Sequence, residues 1–254
     1  MAEREKTWRR KLELLRNSFE HADSFTIAEA QSVLGEKMST LYWTFWNLSR
    51  NGYLRKIGKG LYTFQEKAQD IRPVPSPLGT RIAHTLEQNG YRFFISGLDI
   101  LSVFMDHIPE SYPIILYADK YSINEIRDLL AQDRIIAASQ RSMEDLKLVE
   151  RTGSIEGIVL LYPTNEFSYA QGGFASFEKA FVDLYYEVTR RRYPLSLQEL
   201  ARIFSNMKRR IDLDSGRLIK IGSRRSIQAD IRYIVEKDLI SERAIEFADA
   251  LGKQ

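Results

Sequence analysis

The residues from Ser39 to Lys59 carry side chains that could hold and read a nucleic acid. Hydroxyl and amide groups can hydrogen-bond to base edges, whereas lysine and arginine neutralise phosphates without reading sequence. Small polar and aromatic residues come first and four cations follow, which predicts contact with double-stranded DNA. The candidates are Ser39, Thr40, Tyr42, Trp43, Thr44, Asn47, Arg50, Arg55, Lys56 and Lys59.

Two helices are expected to support this stretch. Residues 5–21 place Trp8, Leu12, Leu15 and Phe19 on one apolar stripe, which is typical of an amphipathic helix. A second helix should begin after Ser24 or Thr26, whose hydroxyl can cap it, and should end at Gly35.

A third helix and a hairpin must carry the candidate residues themselves. Ser39 is the expected cap of a helix that ends near Gly52, and strands over 53–57 and 61–64 enclose Gly58-Lys59-Gly60. Three helices followed by a basic hairpin predict a winged helix-turn-helix domain over residues 1–66. In such modules the third helix enters the major groove.

The apolar residues of the third helix allow two interpretations. Leu41, Phe45 and Leu48 recur three or four residues apart and are the expected core. Trp43 and Trp46 do not share that stripe. We expect one of them to pack beneath the N-terminal helix, near Trp8 or Phe19, since aromatic side chains bury large areas. Whether each tryptophan belongs to the core or to the surface stays open. Exposed tryptophans would instead favour a winged-helix protein-interaction module.

Beyond residue 66 the pattern changes twice. Residues 67–78 predict a linker, because three prolines fall within five residues. Residues 79–175 alternate strands with helices and predict an α/β layer, and 176–254 predict a helical C-terminal part with a last helical pair after Gly222. The fold class is therefore α+β. The expected strands are 91–96, 112–119, 134–139 and 157–163, and the expected helices are 80–90, 98–108 and 122–132.

The α/β layer has the outline of a nucleotidyltransferase, with a Ser96-Gly97 turn after one strand and Asp119 at the end of the next. Active enzymes of that class need two carboxylates one residue apart to hold two metal ions. The expected strands carry no Asp-x-Asp or Asp-x-Glu pair, and a third acid would have to come from Asp99 or Glu156. We therefore expect no enzyme activity, no catalytic residue, no metal and no cofactor. An active nucleotidyltransferase remains the alternative.

The composition indicates in which cellular environment we expect the protein. The 254 residues include no cysteine and three scattered histidines, which disfavours disulfides and thiolate or histidine metal sites. The charged start lacks the apolar segment of a secretory signal, and no apolar run approaches the length of a membrane span. We expect a cytoplasmic protein that does not contact a membrane.

The net charge of +3 is unevenly distributed. Residues 1–64 carry 11 Lys/Arg against 7 Asp/Glu, and residues 187–225 carry 11 against 4. The second basic segment contains a candidate phosphate-binding patch that would be continuous with the hairpin. Solvated helix ends are the alternative interpretation. The patch residues are Arg190, Arg191, Arg192, Lys208, Arg209 and Arg210.

Three motifs resemble the AbiEi-type antitoxins of type IV toxin–antitoxin systems. They are LSRNGYLRKIGKGLYTF (48–64), GYRFFISGLDILSVF (90–104) and FASFEKAFVDLYYE (174–187). The resemblance implies a winged helix that binds the promoter of its own operon, and a nucleotidyltransferase-like antitoxin domain. It further implies a nucleotidyltransferase-like toxin as partner and a role in phage defence. The operator, the toxin and the number of subunits stay open.

Overall fold

A computed structural model describes residues 2–20, 22, 24–64, 71–138 and 156–252. The protein is mixed α+β with a helical C-terminal part, as the sequence predicts. The chain forms two compact units. Unit 1 comprises residues 1–71 and 206–212, and unit 2 comprises residues 72–205 and 213–254.

In the described residues up to 64, unit 1 contains three helices and a three-stranded antiparallel sheet in the order β1-β3-β2. The hairpin β2–β3 turns through Lys59 and Gly60, and the positive φ of Gly60 (70°) is a conformation that favours glycine. The elements are α1 (Ala2–Ser18), β1 (Phe25–Thr26), α2 (Ile27–Leu34), α3 (Met38–Arg50), β2 (Leu54–Gly58) and β3 (Leu61–Phe64).

The core of unit 1 follows the apolar periodicity of the sequence. Leu12 and Leu15 of α1 are buried, as are Leu41, Phe45 and Leu48 of α3. Trp8 and Phe19 pack against this core at its edge. Both predicted stripes are therefore confirmed.

The helix starts differ in how they are capped. Thr26 forms a capping box with Glu29, in which the Glu29 amide donates to Thr26 Oγ1 over 3.2 Å and the Thr26 amide donates to Glu29 Oε2 over 2.6 Å. Gly35 ends α2 in the left-handed conformation. The prediction that Ser39 caps α3 is wrong, because Lys37 holds that position without a side-chain hydrogen bond.

Unit 2 is built on a six-stranded sheet in the order β6-β7-β5-β4-β9-β8. The strands β5, β6 and β7 are parallel, and β4 is antiparallel to β5. The strands are β4 (Phe93–Ser96), β5 (Ile114–Asp119), β6 (Ile135–Ala138), β7 (Gly157–Thr164), β8 (Ala170–Gln171) and β9 (Phe174–Ala175).

Eight helices of the described residues begin in unit 2, and α7 contacts both β4 and β9. The last residues of α8, from Asn206, belong to unit 1. The helices are α4 (Pro77–Gln88), α5 (Leu98–Leu101), α6 (Ile123–Gln132), α7 (Phe177–Arg191), α8 (Leu197–Arg210), α9 (Ser215–Arg224), α10 (Gln228–Lys237) and α11 (Glu242–Gly252).

Three helix boundaries depart from the sequence prediction. Residues 67–70 of the predicted linker lie outside the described residues, and α4 begins inside it because Ser76 caps a helix with Pro77 in its first turn. The predicted helix 98–108 ends after a 3₁₀ turn at Phe104, where the chain becomes extended. Helix α9 was not predicted, since Gly222 reads as a break between helices.

Gly222 instead lies within α9 and faces α10. A Cβ at this position would lie 2.8 Å from Ile231 Cγ1, so the missing side chain lets the two helices approach closely. Among the described residues, none of the helices combines the length and apolar character that a bilayer crossing requires.

Candidate functional site

The outer face of α3 carries three large aromatic side chains. Tyr42, Trp43 and Trp46 are 57%, 54% and 55% exposed, and the neighbouring Ser39 and Thr40 are exposed as well. Residues three and four apart share one side of a helix, so this face lies opposite the buried Leu41, Phe45 and Leu48. Both tryptophans are surface residues, so the expectation that one of them packs beneath the N-terminal helix is wrong.

Three of the predicted contact residues already have partners within unit 1. Thr44 is only 1% exposed and its hydroxyl accepts a hydrogen bond from Lys11 Nζ over 3.4 Å, so it belongs to the inner face and cannot reach a ligand. Asn47 Nδ2 donates to the Trp43 carbonyl over 2.9 Å. The Arg50 guanidinium lies 5.1 Å from the ring centre of Trp46.

The hairpin presents cations with no acidic neighbours in sequence. Arg55, Lys56 and Lys59 are exposed, and none of them forms an ion pair with any described residue. Residues 37–64 contain five Lys/Arg, at 37, 50, 55, 56 and 59, and no Asp or Glu. This stretch, which we call the α3–hairpin surface, therefore combines exposed aromatic rings with a set of Lys/Arg that includes no Asp or Glu in sequence.

The second predicted basic patch is divided between the two units. Arg190 pairs with the buried Asp230 over 2.7 Å, and Arg191 pairs with Glu187 over 3.1 Å. Arg192 ends α7 in the left-handed conformation. Lys208, Arg209 and Arg210 belong to unit 1. The continuity of these residues with the hairpin stays a prediction.

The carboxylates considered for metal binding lie in separate environments. Asp119 Oδ1 accepts from the Tyr121 amide, and Glu156 pairs with Arg81 over 3.4 Å. Asp99 accepts from the Tyr112 hydroxyl over 3.0 Å, and burial raises its pKa, an effect that hydrogen bonds from Ser76 and Tyr112 partly offset. The described residues contain no group of three or more His, Asp or Glu placed to hold a metal ion.

Helix α7 buries an unusual number of charged side chains. Glu178, Lys179, Asp183 and Glu187 are each at most 7% exposed. Asp183 Oδ2 accepts from the Ser96 hydroxyl over 2.7 Å, and Asp183 Oδ1 lies 2.6 Å from Arg225 Nη2. From the sequence, Glu178 and Lys179 are interpreted as residues near a helix start, where Glu178 interacts favourably with the helix dipole. Lys179, Asp183 and Glu187 recur four residues apart and therefore share one side of α7, yet that side is buried against the rest of unit 2.

Two of these charged residues, Lys179 and Arg225, border a cavity of about 220 Å³ in unit 2. Lys179, Arg224 and Arg225 supply its positive side, and Phe94, Tyr117 and Tyr169 supply aromatic walls. It lies at the carboxyl ends of β5 and β7, since Tyr117 pairs with Tyr162 and Thr164 ends β7 at its rim. Ligands of α/β sheets commonly bind at that edge.

The described residues thus define a two-unit α+β protein with a basic, aromatic helix–hairpin surface in unit 1 and a cation-lined cavity in unit 2. The chain belongs to a family of unknown function, DUF6577, whose sequence profile matches residues 40–241. The matched range begins within α3 and includes the hairpin, the sheet of unit 2 and helices α4 to α10. No curated protein matches the chain.

Proposed function

We propose that unit 1 is a winged helix-turn-helix module that binds double-stranded DNA through the α3–hairpin surface. The observation that carries this proposal is the composition of residues 37–64, which hold five cations and no acid around an exposed helix face. Phosphate neutralisation supplies most of the affinity of such modules, and an acid-free surface avoids repulsion by the phosphates.

In this arrangement α3 lies in the major groove and the hairpin contacts the backbone. Ser39 and Thr40 lie at the N-terminal end of α3, where recognition helices contact base edges. Trp43 and Trp46 add flat apolar surface that suits thymine methyl groups and sugars. Arg55, Lys56 and Lys59 contact phosphates and set the register without reading sequence.

We further propose a transcriptional regulator of the AbiEi antitoxin type, which controls its own operon and neutralises a nucleotidyltransferase-like toxin. Support for the antitoxin part is the resemblance of the hairpin, β4–α5 and α7 motifs alone. No enzymatic activity, metal or cofactor enters this proposal.

A second candidate function is docking of a protein partner by the same module. The specific observation in its favour is the exposure of Tyr42, Trp43 and Trp46, since aromatic side chains concentrate at protein interfaces. Removing cations distinguishes DNA binding from docking of a protein. It should weaken DNA binding much more than it weakens an interface built on aromatic anchors.

The test measures binding of the full chain to labelled duplexes by fluorescence anisotropy. One duplex comes from the region upstream of its own gene, and the other is an unrelated sequence of equal length. The Arg55→Ala/Lys59→Ala variant should bind both duplexes on the order of tenfold more weakly, because phosphate contacts act at every sequence. The wild type should prefer the upstream duplex.

The matched control is Lys220→Ala/Lys237→Ala, which removes the same number of charges from helices of unit 2. This variant should bind both duplexes as the wild type does. Absence of duplex binding by the wild type, or an equal loss in the two double variants, would contradict the proposal.

A further inference from the structure

The cavity at the carboxyl ends of β5 and β7 has more positive than negative charge. Lys179, Arg224 and Arg225 face it, and two carboxylates oppose them, Glu166 at the rim and Asp183 behind the wall. Arg224 Nη1 lies 2.9 Å from Glu166 Oε2 in a pair that is about half exposed, and such pairs hold their partners weakly. The three cations exceed the two carboxylates by one, so this group of side chains has one net positive charge.

Lys179 has the longest ion-pair distance of the three cations. Its Nζ lies 3.6 Å from Asp183 Oδ2, beyond hydrogen-bond distance, and that oxygen already accepts from Ser96. The Lys179 side chain is only 7% exposed, and its ammonium also lies near the rings of Phe94 and Tyr117. Buried lysines are rare unless they are paired, because a buried charge loses its hydration.

The walls of the cavity suit a flat group beside the charge. The Lys179 ammonium lies 4.6 Å from the ring centre of Phe94, and the Arg225 guanidinium lies 4.9 Å from that of Tyr117. Tyr169 also lines the cavity, with the Arg224 guanidinium 5.8 Å from its ring centre. Aromatic rings beside converging cations favour an anion that also carries an unsaturated ring.

The volume limits the size of this anion. A cavity of about 220 Å³ is smaller than the pockets of about 300–1,000 Å³ that commonly hold drug-sized ligands. It therefore suits one ring with one anionic group.

We propose that this cavity binds a small aromatic anion, with its phosphate or carboxylate group between Lys179 and Arg224 and its ring against Tyr117 and Tyr169. Arg225 acts as a positioning residue here, because its pair with Asp183 fixes the Tyr117 wall. The inference is independent of DNA binding by unit 1, since all of these residues belong to unit 2.

The test is isothermal titration calorimetry of the full chain with four named probes. Phenyl phosphate and benzoate carry a ring and an anionic group, inorganic phosphate lacks the ring, and benzyl alcohol lacks the charge. We expect phenyl phosphate or benzoate to bind at least tenfold more tightly than either partial probe. The stronger of the two identifies the anionic group as phosphate or carboxylate.

Variants assign the binding to the cavity. Lys179→Met keeps the length of the side chain and removes its charge, and Arg224→Gln removes the second cation. Each should weaken probe binding at least tenfold. The controls Lys220→Met and Arg232→Gln change exposed cations elsewhere in unit 2 and should leave the affinity unchanged.

A second measurement on the wild type covers the case in which Lys179→Met does not fold. An amine-reactive reagent labels lysines, and peptide mapping by mass spectrometry reports each position. Saturating phenyl phosphate or benzoate should slow labelling of Lys179 severalfold and leave Lys220 unchanged. Failure of both ring-bearing anions to bind, or binding that leaves Lys179 labelling unaltered, would overturn the proposal.

Discussion

At the residue scale, Gly79 leaves room for a buried carboxylate, because Asp99 lies where a side chain at position 79 would be. Gly79 lies in the first turn of α4, and a Cβ added there would clash with Asp99 Oδ2. Helix propensity alone would make Gly79→Ala stabilising by about 1 kcal/mol. We predict the opposite sign, a loss of about 1–3 kcal/mol in the free energy of unfolding, because of the clash.

Urea unfolding followed by far-ultraviolet circular dichroism measures this loss. The Asp99→Ala background supplies the control, since the clashing carboxylate is then absent and Gly79→Ala should become neutral or stabilising. An equal loss in both backgrounds would place the cause outside the Gly79–Asp99 contact.

Lys179 gives a prediction about pH at the same scale. Burial lowers the pKa of its ammonium below the ordinary lysine value of 10.5, and the charge of Arg225 adds to the effect, while Asp183 opposes it. Because the neutral amine is the reactive form, the labelling rate of Lys179 should reach half its maximum at a lower pH than 10.5. Peptide mapping across a pH series measures this midpoint, and a midpoint at or above 10.5 would refute the prediction.

At the element scale, the start of α2 depends on a single hydroxyl. Thr26 caps the helix, so Thr26→Ala should lower the free energy of unfolding of unit 1 by about 1 kcal/mol. All three tryptophans, Trp8, Trp43 and Trp46, lie in unit 1, so their fluorescence follows the unfolding of that unit selectively.

Thr26→Ser is the conservative control, because serine retains the capping hydroxyl and should unfold close to the wild type. A tryptophan-detected transition that is the same for Thr26→Ala and the wild type would show that the cap contributes nothing.

The elements of unit 1 could be predicted because their signals are local. The stripe of α1, the caps of α2 and the hairpin turn each lie within a few adjacent residues, and the strands of unit 2 follow from apolar runs. The orientation of Trp43 and Trp46 could not be predicted, since aromatic size favours burial while helical spacing places both opposite the core.

The cavity of unit 2 could not be predicted for a different reason. In the sequence, Lys179 and Asp183 have the spacing of an ordinary ion pair one helical turn apart. Ser96, which occupies one oxygen of Asp183, lies 87 residues away in sequence. Helix α9, which carries Arg224 to the cavity, was missed at Gly222, because a glycine needed for close packing looks like a glycine that ends a helix.

At the scale of the whole molecule, DNA binding should depend on salt through a small number of cations. The α3–hairpin surface has five Lys/Arg, and each phosphate contact contributes about 0.9 to the slope of log affinity against log salt. Arg55→Ala/Lys59→Ala should therefore reduce the magnitude of this slope by about two. Anisotropy titrations over a salt series give the slope, and an unchanged value would exclude these two residues from phosphate contact.

Tryptophan fluorescence tests most directly whether α3 contacts the duplex, because Trp43 and Trp46 lie on its exposed face. The full chain is titrated with duplex DNA, and the same titration is repeated with Trp43→Phe/Trp46→Phe, which retains only Trp8 at the edge of the core. DNA binding through α3 predicts a saturable change in wild-type emission that added salt reverses and that the double variant lacks. Anisotropy showing a bound duplex while wild-type emission stays constant would contradict it.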